Sequence, residues 1–325
     1  MSTTNHSPKV TIYDLAKELN TSASTVSRAL QDHPRISKKM KEAVRRLAEE
    51  RGFHPDPVAH QLRTGKSQLI AIVVSDLKDF GMTGLVSELE RILRDSHYKA
   101  VVVQVRDIED PSSLSRMLIK KMDGVIFLGD SLSYVASSMD KFRSLDVPMV
   151  FGGFGSPNEG LDKVLLDGYR LGEQLAGYLN EKRTRKICYY GNPGAGVFNE
   201  HIVNGISAGM KDTVDAVIHD MYRVNNLPHK VSPENGGRHD AIITFSEGAL
   251  WRMAADISLQ GLKSDVPLLV ALDCPESGHP VFSDLKRIQI PYRAIAEKIF
   301  TLLSGRIGKA MADDTYRDIY ITTEI

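Results

Sequence analysis

Cysteine is nearly absent from this chain of 325 residues, and its two cysteines, Cys188 and Cys274, lie far apart. Isolated cysteines exclude the paired spacings of zinc sites and dithiol redox motifs, and they are typical of a reducing compartment. Long apolar runs are also absent: no stretch reaches the roughly 18 residues that span a membrane, and MSTTNHSPK at the N-terminus has no apolar signal-peptide region. We therefore expect a cytoplasmic protein without a membrane segment.

The chain also lacks net charge, but its charges are unevenly distributed. Residues 1–66 contain 12 Lys or Arg against 7 Asp or Glu, which gives +5, and residues 67–325 contain 29 against 34, which gives −5. A basic N-terminal region favours a nucleic-acid partner. A chain of this length is too long for one small core, so we expect a small basic domain followed by a large one.

The basic region has the pattern of a helix-turn-helix. The segments TIYDLAKELN and SASTVSRAL read as two short amphipathic helices joined by a turn at Asn20 and Thr21. Thr11 and Asp14 have the spacing of a capping box, and Ser22 is a candidate N-cap of the second helix. The residues left on the outward face of the second helix are Ala23, Ser24, Ser27 and Arg28.

A third helix and a short hinge segment complete this region. The third helix is predicted to begin after Ser37 and to end at Gly52, which suits the left-handed position that follows a helix. In FHPDPVAHQLRTGKS, Asp56 and Pro57 are good starting residues for a helix that ends at Gly65. So short a helix is marginal in water, and we expect it to order only with a partner or DNA.

The runs VTIYDLAKELNTSASTVSRALQDHPRIS and GFHPDPVAHQL closely resemble the lactose-repressor (LacI/GalR) family of bacterial transcription regulators. The resemblance implies that the second helix enters the DNA major groove, with base-edge contacts from Ala23, Ser24 and Arg28. It also implies that Leu62 is an apolar wedge at a minor-groove step, with Ala59 beside it. The side chains implied to contact DNA phosphates are Thr11, Ser22, Thr25, Ser27, Arg35, Ser37 and Lys39.

From Gln68 onward, short β-branched runs alternate with helical ones. The runs that read as buried strands are LIAIVV, KAVVVQV, GVIFLG, VPMVF, KICYYG, DAIITF and VPLLVAL. Strands buried on both faces and linked by helices predict an α/β fold of parallel, doubly wound sheets, and their number predicts two lobes. The resemblance implies the periplasmic-binding-protein-like fold, with its last crossovers near Pro291 and after Ala312.

The expected organisation is a helix-turn-helix headpiece at residues 1–55, a hinge helix and linker at 56–67, and an effector-binding and dimerisation core at 68–325. By resemblance, lobe one of the core covers about residues 68–167 and 291–313. Lobe two covers about residues 168–289 and 314–325.

In open α/β sheets, ligands bind at the carboxyl ends of the strands. At the positions where the resemblance places polar effector contacts, this chain has Gly153, Ile202, Ser246 and Glu247, and it retains the family's aspartate at Asp273. A sugar site needs several converging hydrogen-bonding groups, so these replacements predict an effector other than a plain sugar. The expected cleft residues are Asp76, Phe80, Gly153, Ile202, Ser246, Glu247 and Asp273.

Two strings match catalytic or phosphate-binding patterns but lack their context. GISAG, from Gly205 to Gly209, matches the nucleophile elbow, yet apolar residues recur at helical spacing on both sides, which places Ser207 inside a helix. GNPGAG lacks the lysine of a phosphate loop, because Val197 follows it. The histidines form no i, i+4 pair, which disfavours a metal site. We expect no enzymatic activity, no cofactor and no metal.

These observations predict a sequence-specific DNA-binding transcription regulator: a homodimeric repressor that binds a pseudo-palindromic operator and responds to an unidentified small molecule in its cleft. The C-terminal YRDIYITTEI is strand-like and has no heptad pattern, which favours a dimer over a tetramer. Two alternatives stay open. One is a regulator that answers to a protein partner or to its own concentration, and the other is a sugar- or nucleoside-binding protein whose headpiece is incidental.

Overall fold

The computed structural model divides the chain into two compact units, Met1–Ser67 and Gln68–Ile325. The described residues are 10–30, 32–53, 66–77, 81–105, 121–129, 131–135, 139–154, 160–191, 196–210, 214–218, 240–244, 268–273, 285–308 and 315–325. The predicted hinge helix, with Ala59 and Leu62, lies outside them. The boundary between headpiece and hinge therefore stays a prediction.

The described part of the first unit contains α1 (Ile12–Glu18), α2 (Ala23–Leu30) and α3 (Lys38–Glu50). The capping box forms as predicted: the Thr11 hydroxyl accepts from the Asp14 N–H at 3.4 Å, and the Asp14 carboxylate accepts from the Thr11 N–H at 2.8 Å. Ser22 Oγ accepts from the Thr25 N–H at 3.1 Å, and Asn20, at φ +46°, lies in the turn between α1 and α2. The predicted helix-turn-helix is confirmed.

The third helix also has its predicted ends. Ser37 Oγ accepts from the Met40 N–H at 3.3 Å at the start of α3, and Gly52, at φ +60°, follows its end. One stripe of each helix turns inward, and together the stripes form a single small apolar core. Its fully buried members are Leu15, Ala16, Val26, Ala29, Val44 and Ala48.

The second unit is built on two parallel sheets. Its strands are β1 (Leu69–Val74), β2 (Lys99–Gln104), β3 (Gly124–Leu128), β4 (Met149–Gly153), β5 (Asp162–Leu166), β6 (Ile187–Gly191), β7 (Val214–Ile218), β8 (Ala241–Thr244), β9 (Leu268–Leu272), β10 (Lys286–Ile288) and β11 (Asp318–Ile321). The first sheet has six strands in the order β11-β5-β4-β3-β1-β2, and the second has five in the order β10-β9-β8-β6-β7. All pairings between these strands are parallel, so the predicted fold class is confirmed.

The described helices of this unit are α4 (Met82–Asp95), α5 (Ser131–Val135), α6 (Met139–Arg143), α7 (Gly168–Glu181), α8 (Gly196–Gly209) and α9 (Tyr292–Ile307). Helix α9 packs on the first sheet, where Ile299 lies against Gly152 of β4 and Leu303 lies against Gly124 of β3. None of the helices in the described ranges is long and apolar enough to cross a lipid bilayer.

Helices α7 and α8 pack with almost touching backbones. A Cβ on Gly172 would lie 2.3 Å from the carbonyl oxygen of Ile202, and a Cβ on Gly205 would lie 2.1 Å from that of Tyr169. The glycines of GISAG therefore serve this close packing. Ser207 lies inside α8, as predicted, so the strand-to-helix turn of a nucleophile elbow does not occur there.

The structure corrects one part of the predicted lobe division. Residues 314–325 were expected in lobe two, but β11 pairs with β5 at the edge of the first sheet. The physical reason is a buried ion pair: the Asp162 carboxylate accepts from Arg306 Nε at 2.8 Å and from the Arg317 N–H at 2.9 Å. These bonds fasten the C-terminal strand beside β5.

Candidate nucleic-acid interface and inter-sheet cleft

Helix α2 turns one face into the headpiece core and leaves the other exposed. Ser24 and Arg28 are exposed on it, and Ala23 beside them is half-buried. The Arg28 guanidinium has no hydrogen-bond or ion-pair partner within the described residues of the chain. A free guanidinium on the outer face of a short, capped helix can donate two parallel hydrogen bonds to a planar acceptor such as a guanine edge.

The structure contradicts the expectation that Ser27 faces outward, because its side chain is only 6% exposed. Ala23 and Leu30, one turn before and after Ser27, both pack against the headpiece core. Residues at this spacing share one side of a helix, so Ser27 lies in the wall of the core. Its contact with a DNA phosphate stays a prediction.

The other predicted phosphate contacts fall into two kinds. Arg35 and Lys39 are exposed cations. Thr11, Ser22 and Ser37 instead use their side-chain oxygens to cap the three helices. Thr25 Oγ1, which lies 2.9 Å from Ser22 Oγ, belongs to the cap of α2. These four residues can hold the helix N-termini in place, where backbone N–H groups favour an anion.

Tyr13 was missed by the sequence reasoning. It lies in the first turn of α1 and is 73% exposed, although the positions around it at Ile12 and Leu15 pack inward. The same apolar periodicity that located the buried face of α1 leaves Tyr13 off it, so the signal was present in the sequence. A phenol hydroxyl in such a position can donate to a phosphate oxygen.

In the second unit, the predicted cleft residues that the structure describes do not all line one open site. Gly153, at the end of β4, has φ +111°, a conformation that L side chains rarely adopt, so an acidic side chain at this position would strain the backbone. Ile202 is fully buried in the apolar core of α8, rather than exposed on a surface. Asp76 is half-buried after β1. Phe80, Ser246 and Glu247 lie outside the described residues.

Asp273 does occupy the carboxyl end of a strand, as predicted, and it has a partner that the sequence reasoning missed. It directly follows β9 with φ +53°, and its carboxylate accepts a hydrogen bond from the hydroxyl of Tyr292, the first residue of α9. Burial raises the pKa of the Asp273 carboxyl, and the bond from Tyr292 partly offsets that rise. Burial, together with the Asp273 charge, raises the pKa of Tyr292 far above its usual range.

An aromatic contact accompanies this bond. Phe154 follows β4 of the first sheet, Phe198 lies in α8 beside the second sheet, and their ring centroids are 5.1 Å apart. Both rings are buried. Neither residue has a recognisable motif, and only the fold brings them together, so no local signal in the sequence could have identified this pair.

The described residues contain no cluster of three or more His, Cys, Asp or Glu that could hold a metal ion. Within this part of the chain, two places can bind a partner through hydrogen bonds and apolar contacts. One is the exposed face of α2, and the other is the region where Asp273 and Tyr292 meet.

Comparison with known proteins finds a family model that matches the headpiece. Residues 11–56 match the sequence model of the bacterial regulatory proteins of the lacI family. Among curated proteins, the chain is similar to catabolite control protein A of Staphylococcus xylosus, at 25% identity over 209 residues, which is 63% of this chain and 61% of that protein. The chain thus matches about three-fifths of that relative's length.

Solved structures share the fold over a longer range. The Lac repressor dimer bound to operator and the anti-inducer ONPF superposes with a TM-score of 0.71, at 18% identity, over 97% of each chain. A LacI-family regulator from Enterococcus faecalis V583 with bound ribose has a TM-score of 0.63, at 17% identity, over 79% of this chain and 96% of its own.

Proposed function

We propose that this chain, whose residues 11–56 are a LacI-family domain, is a sequence-specific DNA-binding transcription regulator that acts as a homodimeric repressor in the cytoplasm. The observation that carries the proposal is the exposed guanidinium of Arg28, which has no partner among the described residues and lies on a helix whose opposite face is buried. Two such helices, related by the twofold axis of a dimer, would read the two halves of a pseudo-palindromic operator.

In the proposed complex, α2 lies in the major groove and Arg28 donates two hydrogen bonds to a guanine. Small side chains at Ala23 and Ser24 leave room for a thymine methyl group or for water. Tyr13, Arg35 and Lys39 contact phosphates, and the capped N-termini of the helices add backbone donors. Leu62, with Ala59 beside it, enters the minor groove from the hinge.

The test begins by selecting an operator from random DNA with the wild-type chain. The Arg28→Ala variant should then lose discrimination between operator and random DNA worth roughly 1–3 kcal/mol, because one bidentate contact to a base is lost. Binding to random DNA should weaken far less. Arg46→Ala is the matched control, since Arg46 is an exposed cation on α3 and its loss removes the same charge. Equal losses on both DNAs in Arg28→Ala would refute the base contact.

We propose that the core of the dimer responds to a small molecule held near Asp273. Since Gly153 has no side chain and Ile202 is buried in the apolar core, neither supplies a polar group to a ligand, and a free hexose would lose water without gaining enough partners. A ligand with an amine or another strong donor suits Asp273 better. Calorimetric titration with glucose and with adenosine tests this preference. Micromolar binding of glucose, abolished in Asp273→Ala, would keep the site at Asp273 and refute the preference against hexoses.

A second candidate is a DNA-binding regulator without a small-molecule effector, which answers to a protein partner or to its own concentration. The specific observation in its favour is that the chain's own side chains, Tyr292 at Asp273 and Phe154 at Phe198, occupy the region where the two sheets meet. Operator binding that stays unchanged across a screen of sugars, nucleosides and amino acids would favour this candidate over the first.

A further inference from the structure

The bond between Asp273 and Tyr292 joins parts of the second unit that belong to different sheets. Asp273 follows β9, and its backbone N–H donates to the Ile288 carbonyl of β10 at 2.8 Å, so it is fixed to the second sheet. Tyr292 begins α9, whose Ile299 and Leu303 pack on the first sheet. We propose that Tyr292 is a latch, a positioning residue whose hydroxyl holds Asp273 and keeps the two sheets in one closed arrangement.

The Tyr292 ring packs against the start of α4. A Cβ on Gly84 would lie 2.6 Å from the Tyr292 ring, and a Cβ on Gly81 would lie 3.1 Å from the Tyr292 hydroxyl oxygen. Any larger residue at these two positions would displace the ring or its hydroxyl. The tyrosine is therefore held from the side of the first sheet, and its single polar atom meets the second sheet at Asp273.

Apolar packing reinforces the same closure. Phe154 is 5% exposed and Phe198 is 1% exposed, and their contact again joins the first sheet to the second. A Cβ on Gly81 would also lie 2.5 Å from the Phe154 ring, so Gly81 admits both aromatic side chains at one point. Two independent contacts, one polar and one apolar, thus meet beside Gly81, the residue that precedes α4.

The contacts that form the latch do not depend on the proposed function. Only its regulatory consequence rests on that function. A buried carboxylate needs a donor, and Tyr292 supplies one from within the chain. A small molecule that binds Asp273 must replace that donor and so break the bond between the sheets. In the proposed regulator, this exchange would couple the ligand to the geometry of the headpieces.

The experiment measures the separation of the two sheets directly. Nitroxide labels are attached to the pair Lys141→Cys and Glu181→Cys, exposed positions on α6 and α7, after Cys188→Ser and Cys274→Ser have removed the native thiols. Double electron–electron resonance then gives the distance distribution. Tyr292→Phe keeps the ring and removes the hydroxyl, and Tyr169→Phe, on the exposed face of α7, is the matched control.

The unaltered latch should give one narrow distribution, and Tyr292→Phe should broaden or shift it, while Tyr169→Phe should leave it unchanged. Asp273→Ala should alter the distribution in the same way, because it removes the acceptor, and adding it to Tyr292→Phe should have little further effect, because both changes break one bond. A distribution that Tyr292→Phe leaves narrow and unshifted overturns the latch. Operator binding by the unlabelled wild-type chain is measured separately, so its failure would count against the proposed function and not against the latch.

Discussion

The candidate DNA surface of the headpiece comes from one continuous run, Thr11 to Lys39, whereas the cleft draws Phe154, Asp273 and Tyr292 from three distant segments of the core. Within the headpiece, each helix is capped by a side-chain oxygen that accepts a hydrogen bond from the backbone N–H three residues later. In the core, the decisive polar contacts join residues as far apart as Asp162 and Arg317. The exposed side chains Ser24 and Arg28 can therefore vary with little effect on the headpiece fold, while changes in the core act on both fold and cleft.

The largest expected effect tests the long-range half of this comparison. Asp162→Ala removes a carboxylate that is 1% exposed and leaves the largely buried Arg306 guanidinium without its counter-charge. Breaking a buried ion pair from one side typically costs about 3–5 kcal/mol of unfolding free energy. Asp140→Ala is the control, because its pair with Arg143 is exposed and should contribute about 0–1 kcal/mol. Urea unfolding followed by circular dichroism measures both, and similar losses in the two variants would contradict the argument.

The next effect concerns the contact between α7 and α8. In Gly172→Ala the new methyl group would meet the Ile202 carbonyl at 2.3 Å, and both helices would have to move apart. Such overpacking costs about 1–3 kcal/mol. Gly177→Ala, on the same helix, meets nothing within 4 Å. The control should instead stabilise the core by roughly 0.5–1 kcal/mol, because alanine favours helix more than glycine does. Thermal unfolding that moves in the same direction for both variants would refute this packing.

The contrast also explains how much could be predicted from the sequence. Caps, apolar stripes and buried strands are local patterns, so the helix-turn-helix, the ends of α3 and the parallel sheets were predicted from single segments. The prediction for Ser27 was wrong because this residue borders the buried stripe of α2. Each residue advances the helix by about 100°, so the sequence pattern alone does not separate the edge of the buried face from the exposed face. Tyr292 and Phe154 could not be predicted, because their roles depend on which strand ends the topology brings together. The edge position of β11 was missed for the same reason.

A smaller effect tests the local half of the comparison. Thr11→Ala removes the cap of α1 and should destabilise the headpiece by about 1 kcal/mol, within the usual range of about 0.5–2 kcal/mol. Thr11→Ser keeps the hydroxyl and serves as the control. Hydrogen exchange in the full chain should show faster exchange of headpiece amides and unchanged protection of the two sheets. Loss of protection in the sheets would show that the headpiece and the core are not energetically separate.

The smallest expected effect is on the pH dependence of stability. The contribution of one carboxyl in each unit should change with pH in opposite directions. Hydrogen bonding and charge from Lys41, then charge from Arg45, hold the pKa of Asp32 in the headpiece below its usual value. A lowered carboxyl pKa stabilises the folded state above the unfolded value of about 3.9, and this stabilisation is lost as the pH falls through the folded pKa.

The Asp273 carboxyl should show the reverse, because burial raises its pKa above the usual value. Its folded state holds the proton more tightly than the unfolded chain does, so its contribution to stability is fullest in acid and decreases as the pH rises through the folded pKa.

The measurement compares wild type with Asp32→Asn and Asp273→Asn by hydrogen exchange across a pH series. The difference in headpiece protection between wild type and Asp32→Asn should disappear on acidification. The loss of core protection with rising pH should be shallower in Asp273→Asn. An exposed carboxylate beside cations has a lowered pKa, and a buried one beside a phenol has a raised pKa. If both stability differences changed with pH in the same direction, the two carboxyls would not differ in environment as the structure shows.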